Sequence, residues 1–327
     1  MPTVISELNI DLKSLSEDQL KYLTILTAYN TNILIRNQNL SKKEYASILR
    51  TFGKNPKRDL WVEDKDNHEL MYVTNKHMLG KEKKQGLFAT GELDWHCNGP
   101  MSIDPEDCVT LYCKQPTQDP CNTEFVNGVI AYNTLPKDVK KQISNTKIFL
   151  SNDAPQFQRL KFDFYTKMKR KPRMIDSERV YKVHDAINLE GAAELNRCQI
   201  RSRNQNSSIE KEVYKNKEKY SDGGIWNYMV KKIVHPHRLT GVIGLYLPLL
   251  NVVGFDDIPE DEWYDLYFYL KGHYLKEVYS HEWKVGDLIL FDNTQGLHKR
   301  QPFPLDKSGN EQKRELWRGA FWYDNIH

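Results

Sequence analysis

The sequence predicts an α+β protein built on a jelly-roll core, with helices packed outside it and a long lid-like insertion. Three observations predict this. Beyond Leu93, short runs rich in Val, Ile, Tyr, Phe and Trp are separated by Gly, Pro, Asn and Asp, and strands of that length and spacing suit two packed sheets. Helical periodicity is confined to a few capped stretches. Between Leu150 and Val234 the apolar repeats give way to polar and basic residues. The chain has 327 residues, 39% of them hydrophobic, enough to bury a full core.

The elements follow in order. Residues 16–30, SEDQLKYLTILTAYN, set Leu20, Leu23, Leu26 and Thr27 at helical spacing behind a serine with an acid close after it, the pattern of a capped amphipathic helix. TNILIRNQ reads as a strand. SKKEYASILRTFG reads as a second helix, with Ser41 as N-cap and Gly53 as its stop. The later strands are CVTLYCKQP, TEFVNGVIAY, VIGLYLPL, DLILFDNTQGLH and ELWRGAFWYD. Helices interrupt them at LPKDVKKQISN and DEWYDLYFYLKGHYL, each behind a proline or an acidic start. A single domain over residues 1–327 is expected, with residues 151–233 as a basic insertion or lid.

Charged residues make up 28% of the chain and nearly cancel, to +3, so the overall field gives no reason to expect a nucleic-acid or membrane partner. The cluster Lys167, Lys169, Arg170, Lys171 and Arg173 suits a solvated surface run, or else a phosphorylated ligand or a nucleic acid. No basic start precedes an apolar run at the N-terminus, and no later segment has the apolar length of a membrane span; a cytoplasmic location is expected. Cys97, Cys108, Cys113, Cys121 and Cys198 form an odd set without a CxxC pair, which points to neither a disulfide framework nor structural zinc.

The chemistry gathers in two short phrases. LDWHCNGP carries His96 at a strand end, with Asn98 two positions on and so on the same strand face. In VGDLILFDNTQGLHKRQPF a strand rich in Leu and Ile ends in a polar turn that presents His298. The order WHCN, GDLILFDNTQGLH, RELWRGAF, together with HPHRLTGVIGLYL, resembles the iron(II) and 2-oxoglutarate dependent dioxygenases of the taurine dioxygenase and clavaminate synthase type. The likeness runs from about Tyr72 to Tyr323.

The resemblance implies a double-stranded β-helix and an enzyme that uses Fe(2+), 2-oxoglutarate and O₂ on an unactivated C–H bond of a small, anionic or amino-acid-like molecule. It implies that His96, Asn98 and His298 are the catalytic and metal-binding residues. Thr123 and Arg314 would hold 2-oxoglutarate, and Arg318 an anionic group of the substrate. Each arginine would act by charge-assisted bonds that lysine reproduces poorly.

Asn98 departs from the family, which has a carboxylate there. An amide oxygen is a weaker, neutral donor, and three outcomes stay open. Asn98 ligates weakly and the enzyme hydroxylates, desaturates or cyclises its substrate. An anion such as chloride takes the vacated position and the enzyme halogenates. Or metal affinity is too low for turnover, leaving a non-catalytic protein that binds 2-oxoglutarate or another anion. Asp94 and Asp104 are nearby acids that could supply the missing carboxylate. Asn98 also precedes Gly99, and Asn-Gly pairs tend to deamidate.

Overall fold

A computed structural model describes residues 4–56, 62–78, 81–89, 92–100, 105–150, 229–255, 258–259 and 262–323. Two helices open the chain as the caps dictate. Ser16 and Gln19 form a reciprocal capping box ahead of α1 (Glu17–Asn30), and Ser41 and Glu44 do the same for α2 (Lys42–Phe52), each pair satisfying two orphan backbone donors. Leu20, Leu23 and Thr27 of α1 are buried, as their spacing requires. Between the helices Asn32–Ile35 forms β2, which pairs in parallel with β1 (Ser6–Leu8).

Six strands make the larger sheet, in the order β1-β2-β15-β7-β17-β3. Its central members are β15 (Leu288–Asp292), β7 (Cys108–Gln115) and β17 (Glu315–Phe321), with β3 (Met71–Thr74) at one edge. A four-stranded sheet has the order β14-β8-β16-β6, formed by Tyr279–His281, Thr123–Asn127, Gly296–Arg300 and Leu93–His96. One apolar cluster joins the two sheets: Phe125 of β8 packs with Val109 and Leu111 of β7, Phe291 of β15 and Leu316 of β17. Another lies on the outer face of the larger sheet, where α1 and α2 cover it through Leu23, Tyr45, Leu49 and Phe52. Gly319 permits that contact, since a Cβ there would stand 2.3 Å from a methyl of Leu49.

Two expectations need correction. TEFVNGVIAY is not one strand: β8 ends at Asn127, whose side chain accepts from the Val129 and Ile130 N–H groups at 2.9 and 3.2 Å and starts α3 (Gly128–Thr134). A cap overrides the β preference of Val and Ile. DLILFDNTQGLH is likewise two strands, β15 and β16, and they belong to different sheets. Asp292 turns the corner, its Oδ1 accepting from the backbone N–H of Thr294 and of Gln295 and from the Thr294 hydroxyl, an Asx-type turn. His298 therefore lies within a strand and not in a polar turn.

The predicted helices at residues 135–145 and 261–275 appear as α4 (Lys137–Ile143) and α5 (Trp263–Tyr274). Of the segment read as an insertion, residues 151–228, with the basic cluster and Cys198, lie outside the described residues. Its two ends meet: Met229 of β10 (Met229–Lys232) pairs with Leu150 of β9 (Lys147–Leu150). Among the described residues no helix is long and apolar enough to cross a membrane.

Candidate active site

His96 ends β6 and faces His298 of β16 directly across the ladder. Their ring centroids stand 4.1 Å apart. Phe291 packs on the His298 ring at 4.6 Å, so both imidazoles sit between the sheets. His96 Nδ1 lies 2.7 Å from the Asp94 carbonyl; as the donor it fixes the tautomer that leaves a lone pair on Nε2. Burial pushes the His96 pKa from 6.5 to about 4 and takes His298 well below the ordinary range. Both rings are thus neutral, the form that binds metal. His96 Nε2 and His298 Nδ1 are buried and have no hydrogen-bond partner.

Asn98 does not share a strand face with His96, because β6 stops at His96 and Asn98 lies in the bend that follows. A different device brings it in. Asn293, at the corner between the sheets, accepts from the Asn98 N–H at 2.7 Å and donates to the Asn98 carbonyl at 2.8 Å. Asn98 then lines the same cleft as His298, and its Nδ2 is buried without a partner. Asp94 is engaged locally, its carboxylate accepting from the Trp95 N–H at 2.9 Å, and Asp104 lies outside the described residues. Among the described residues no group of three His, Cys, Asp or Glu gathers to hold a metal. Two neutral imidazoles and one amide are what the described residues offer an ion here.

The rest of the cleft is cationic. Its volume is about 410 Å³, including space that opens to solvent, and Thr123, Arg300, Arg314 and Arg318 line it with Asn98 and His298. Among the described residues that line it, none is an acid. Thr123 Oγ1 accepts from Trp283 Nε1 at 2.9 Å, so its own proton is free to be donated. Arg314 is 2% exposed and Arg318 3%; Arg314 Nε and Arg318 Nη1 have no partner. Burial lowers the pKa of each guanidinium to about 10. Buried cations without counter-charge are costly, and a carboxylate between them would supply what is missing. The orphaned donors fit 2-oxoglutarate, as the orphaned imidazole nitrogens fit a metal.

Arg300 is the lining residue that the sequence reading passed over. Strand alternation places it on the same side of β16 as His298, two residues earlier, and that signal was present in LHKR. Arg300 Nη1 donates to the carbonyl of Phe88, which adopts a left-handed φ of 53° at the cleft wall. His237 supports the site from behind: in the HPHRLTG stretch, its Nε2 bonds Asp292 Oδ2 at 2.9 Å, and the Tyr323 hydroxyl donates to the same oxygen at 2.9 Å. Burial alone would raise the Asp292 carboxyl, but the His237 and Thr294 bonds hold it below its usual range.

Comparison with known proteins bears on the fold and the family. No curated protein matches the chain. Among solved structures, a taurine dioxygenase from Burkholderia xenovorans superposes with a TM-score of 0.63 at 13% identity, covering 98% of this chain and 86% of the other. A structure of AAD-2 in complex with Mn(II) and N-oxalylglycine superposes with a TM-score of 0.60 at 16% identity, covering 97% and 92%. These likenesses establish a shared fold. The model of the family described as taurine catabolism dioxygenase TauD, TfdA family matches residues 2–320, and the chain therefore belongs to that family of dioxygenases, which use iron(II), 2-oxoglutarate and O₂.

Proposed function

We propose that this protein is an oxygenase that acts on an unactivated C–H bond of a small anionic or amino-acid-like molecule in the cytoplasm, on a single jelly-roll domain whose halves are the two facing sheets. His96 and His298 would bind iron through ring nitrogens, with Asn98 completing the face. Thr123 and Arg314 would bind 2-oxoglutarate, and Arg318 the anionic group of the substrate. When bound, iron and 2-oxoglutarate supply an oxidant from O₂, with 2-oxoglutarate leaving as succinate and CO₂. The chain's own contribution is to hold both carboxylates by fixed guanidinium groups, to orient the substrate and to exclude water behind Phe291 and Leu316.

One observation supports the reading: His298, beside His96 and with an unpartnered ring nitrogen on each, lines a cleft with two buried arginines whose Nε (Arg314) and Nη1 (Arg318) have no partner. Metal and dicarboxylate sites need those two features side by side. Iron-dependent formation of succinate from 2-oxoglutarate tests it, even slowly and without substrate, and His298→Ala should abolish it. A second reading, binding without turnover, is favoured by the amide at position 98; it predicts 2-oxoglutarate binding through Arg314 and no succinate. Halogenation predicts instead that chloride alters the iron spectrum, and the bulk of the Asn98 side chain opposes it.

A further inference from the structure

We propose that Asn98 is a self-processing residue: the Asn98–Gly99 pair deamidates in the folded protein and supplies the carboxylate that the two-histidine site lacks. The proposal rests on the oxygenase reading above and adds to it a modification site. Four observations on the molecule support it. Asn98 lies just past the end of β6, in a bend, where the Asn293 side chain and not a strand ladder holds its backbone. Gly99 has φ +61° and is exposed, and its N–H donates to no described residue. The Asn98 carbonyl, which belongs to the same peptide unit as that N–H, accepts from Asn293 Nδ2 at 2.8 Å. Asn98 Nδ2 is buried without a partner, so its departure breaks no hydrogen bond.

Each feature lowers the barrier to one step. A hydrogen bond on the peptide carbonyl draws electrons from the Gly99 nitrogen and eases loss of its proton. The absence of a Cβ on Gly99 lets that nitrogen reach Asn98 Cγ. The N–Cγ bond forms, the Cγ–Nδ2 bond breaks, and ammonia leaves with the proton, giving a cyclic imide. Water then adds at Cγ, which faces the cleft, and breaks the new N–Cγ bond. The Gly99 N–H is restored and position 98 becomes a carboxylate; no oxidant is involved. The arginines that line the cleft polarise the Cγ oxygen of the imide, so water adds at Cγ and yields aspartate in place of isoaspartate. Negative charge develops on the Cγ oxygen in a cleft lined by Arg300, Arg314 and Arg318 and, among the described residues, by no acid, and fixed cations stabilise such charge. The product also relieves the excess of buried positive charge.

The test is peptide mapping by mass spectrometry of freshly purified, metal-free protein and of the same folded protein incubated in heavy-oxygen water. Cobalt(II) and iron(II) affinities are measured on both samples and on the Asn98→Asp and Gly99→Ala variants. The expected result is heavy oxygen at position 98 as aspartate, increasing with time. Metal affinity should rise in parallel by at least about tenfold, since changing a ligand should cost no less than changing its outer-shell support. It should reach that of Asn98→Asp, while Gly99→Ala stays an amide with weak binding. An amide that persists in folded protein, or isoaspartate as the product, would overturn the proposal. Failure of the oxygenase reading looks different: Asn98→Asp would then bind neither metal nor 2-oxoglutarate, whatever happens to the wild-type amide.

Discussion

Asn293 holds Asn98 at both ends of its backbone, through an N–H bond of 2.7 Å and a carbonyl bond of 2.8 Å, across 195 positions of sequence. The same side chain also donates to the Glu106 carbonyl at 2.9 Å. A single buried amide thus fixes the residue beside the two histidines relative to the corner that leads into β16, the strand of His298. Asn293→Ala should lower stability by about 2 to 3 kcal/mol, because it leaves buried backbone groups unpaired. It should weaken metal binding by about 10- to 100-fold, as loss of outer-shell support does. Denaturant unfolding of the apoprotein and metal titration check the two effects separately.

Arg314 costs stability until a carboxylate arrives. Arg314→Met should raise the melting temperature of the apoprotein, since a buried unpaired charge is replaced by an apolar chain of similar length. The same variant should bind 2-oxoglutarate at least about tenfold more weakly, having lost a charge-assisted pair. Wild type should gain thermal stability on adding 2-oxoglutarate, whereas the variant should not. Arg314→Lys should recover only part of the affinity, because a point charge does not reproduce the guanidinium fork.

Asp292 predicts a pH signature. Its pKa is below the ordinary 3.8 in the folded protein, so the unfolded chain takes up the proton first. The stability that Asp292 contributes is therefore complete above pH 3.8 and is lost as pH falls through its lower folded value. Asp292→Asn removes the acceptor of His237 and Tyr323 and should destabilise the neutral protein by about 3 kcal/mol, as breaking a buried ionic network does. The gap between variant and wild type should narrow only in strongly acidic solution. Urea midpoints measured across pH would show it.

Substrate charge is testable through Arg318. With Nη1 free in a buried position, Arg318→Gln should raise the KM for an anionic substrate by about tenfold or more while leaving 2-oxoglutarate affinity within a few-fold. Steady-state kinetics with each compound varied in turn separates the two.

What could be read from the sequence was local or strictly periodic. The boxes at Ser16 and Ser41 announce their helices because cap and partner lie three residues apart. His96 and His298 stand out because each sits in a short phrase, and the ladder pairs them. The crossing from one sheet to the other at Asp292 was hidden, because an unbroken run of apolar and polar residues conceals a three-residue corner. Asn127 concealed the start of α3 for a similar reason, its cap outweighing a strand-like composition. Asn98 lines the cleft, but strand alternation does not put it there; the two bonds from Asn293 do. Arg300 was within reach of period-two reasoning from His298 and went unused.

The central claim is that His96, Asn98 and His298 form a metal site next to a carboxylate cradle at Arg314. Anaerobic titration of the apoprotein with iron(II) and 2-oxoglutarate tests it most directly, through the visible metal-to-ligand charge-transfer band of the chelate. The account predicts a saturable band that needs both components and is absent in His298→Ala and Arg314→Met. No band at any iron concentration, in wild type and in Asn98→Asp alike, would contradict it.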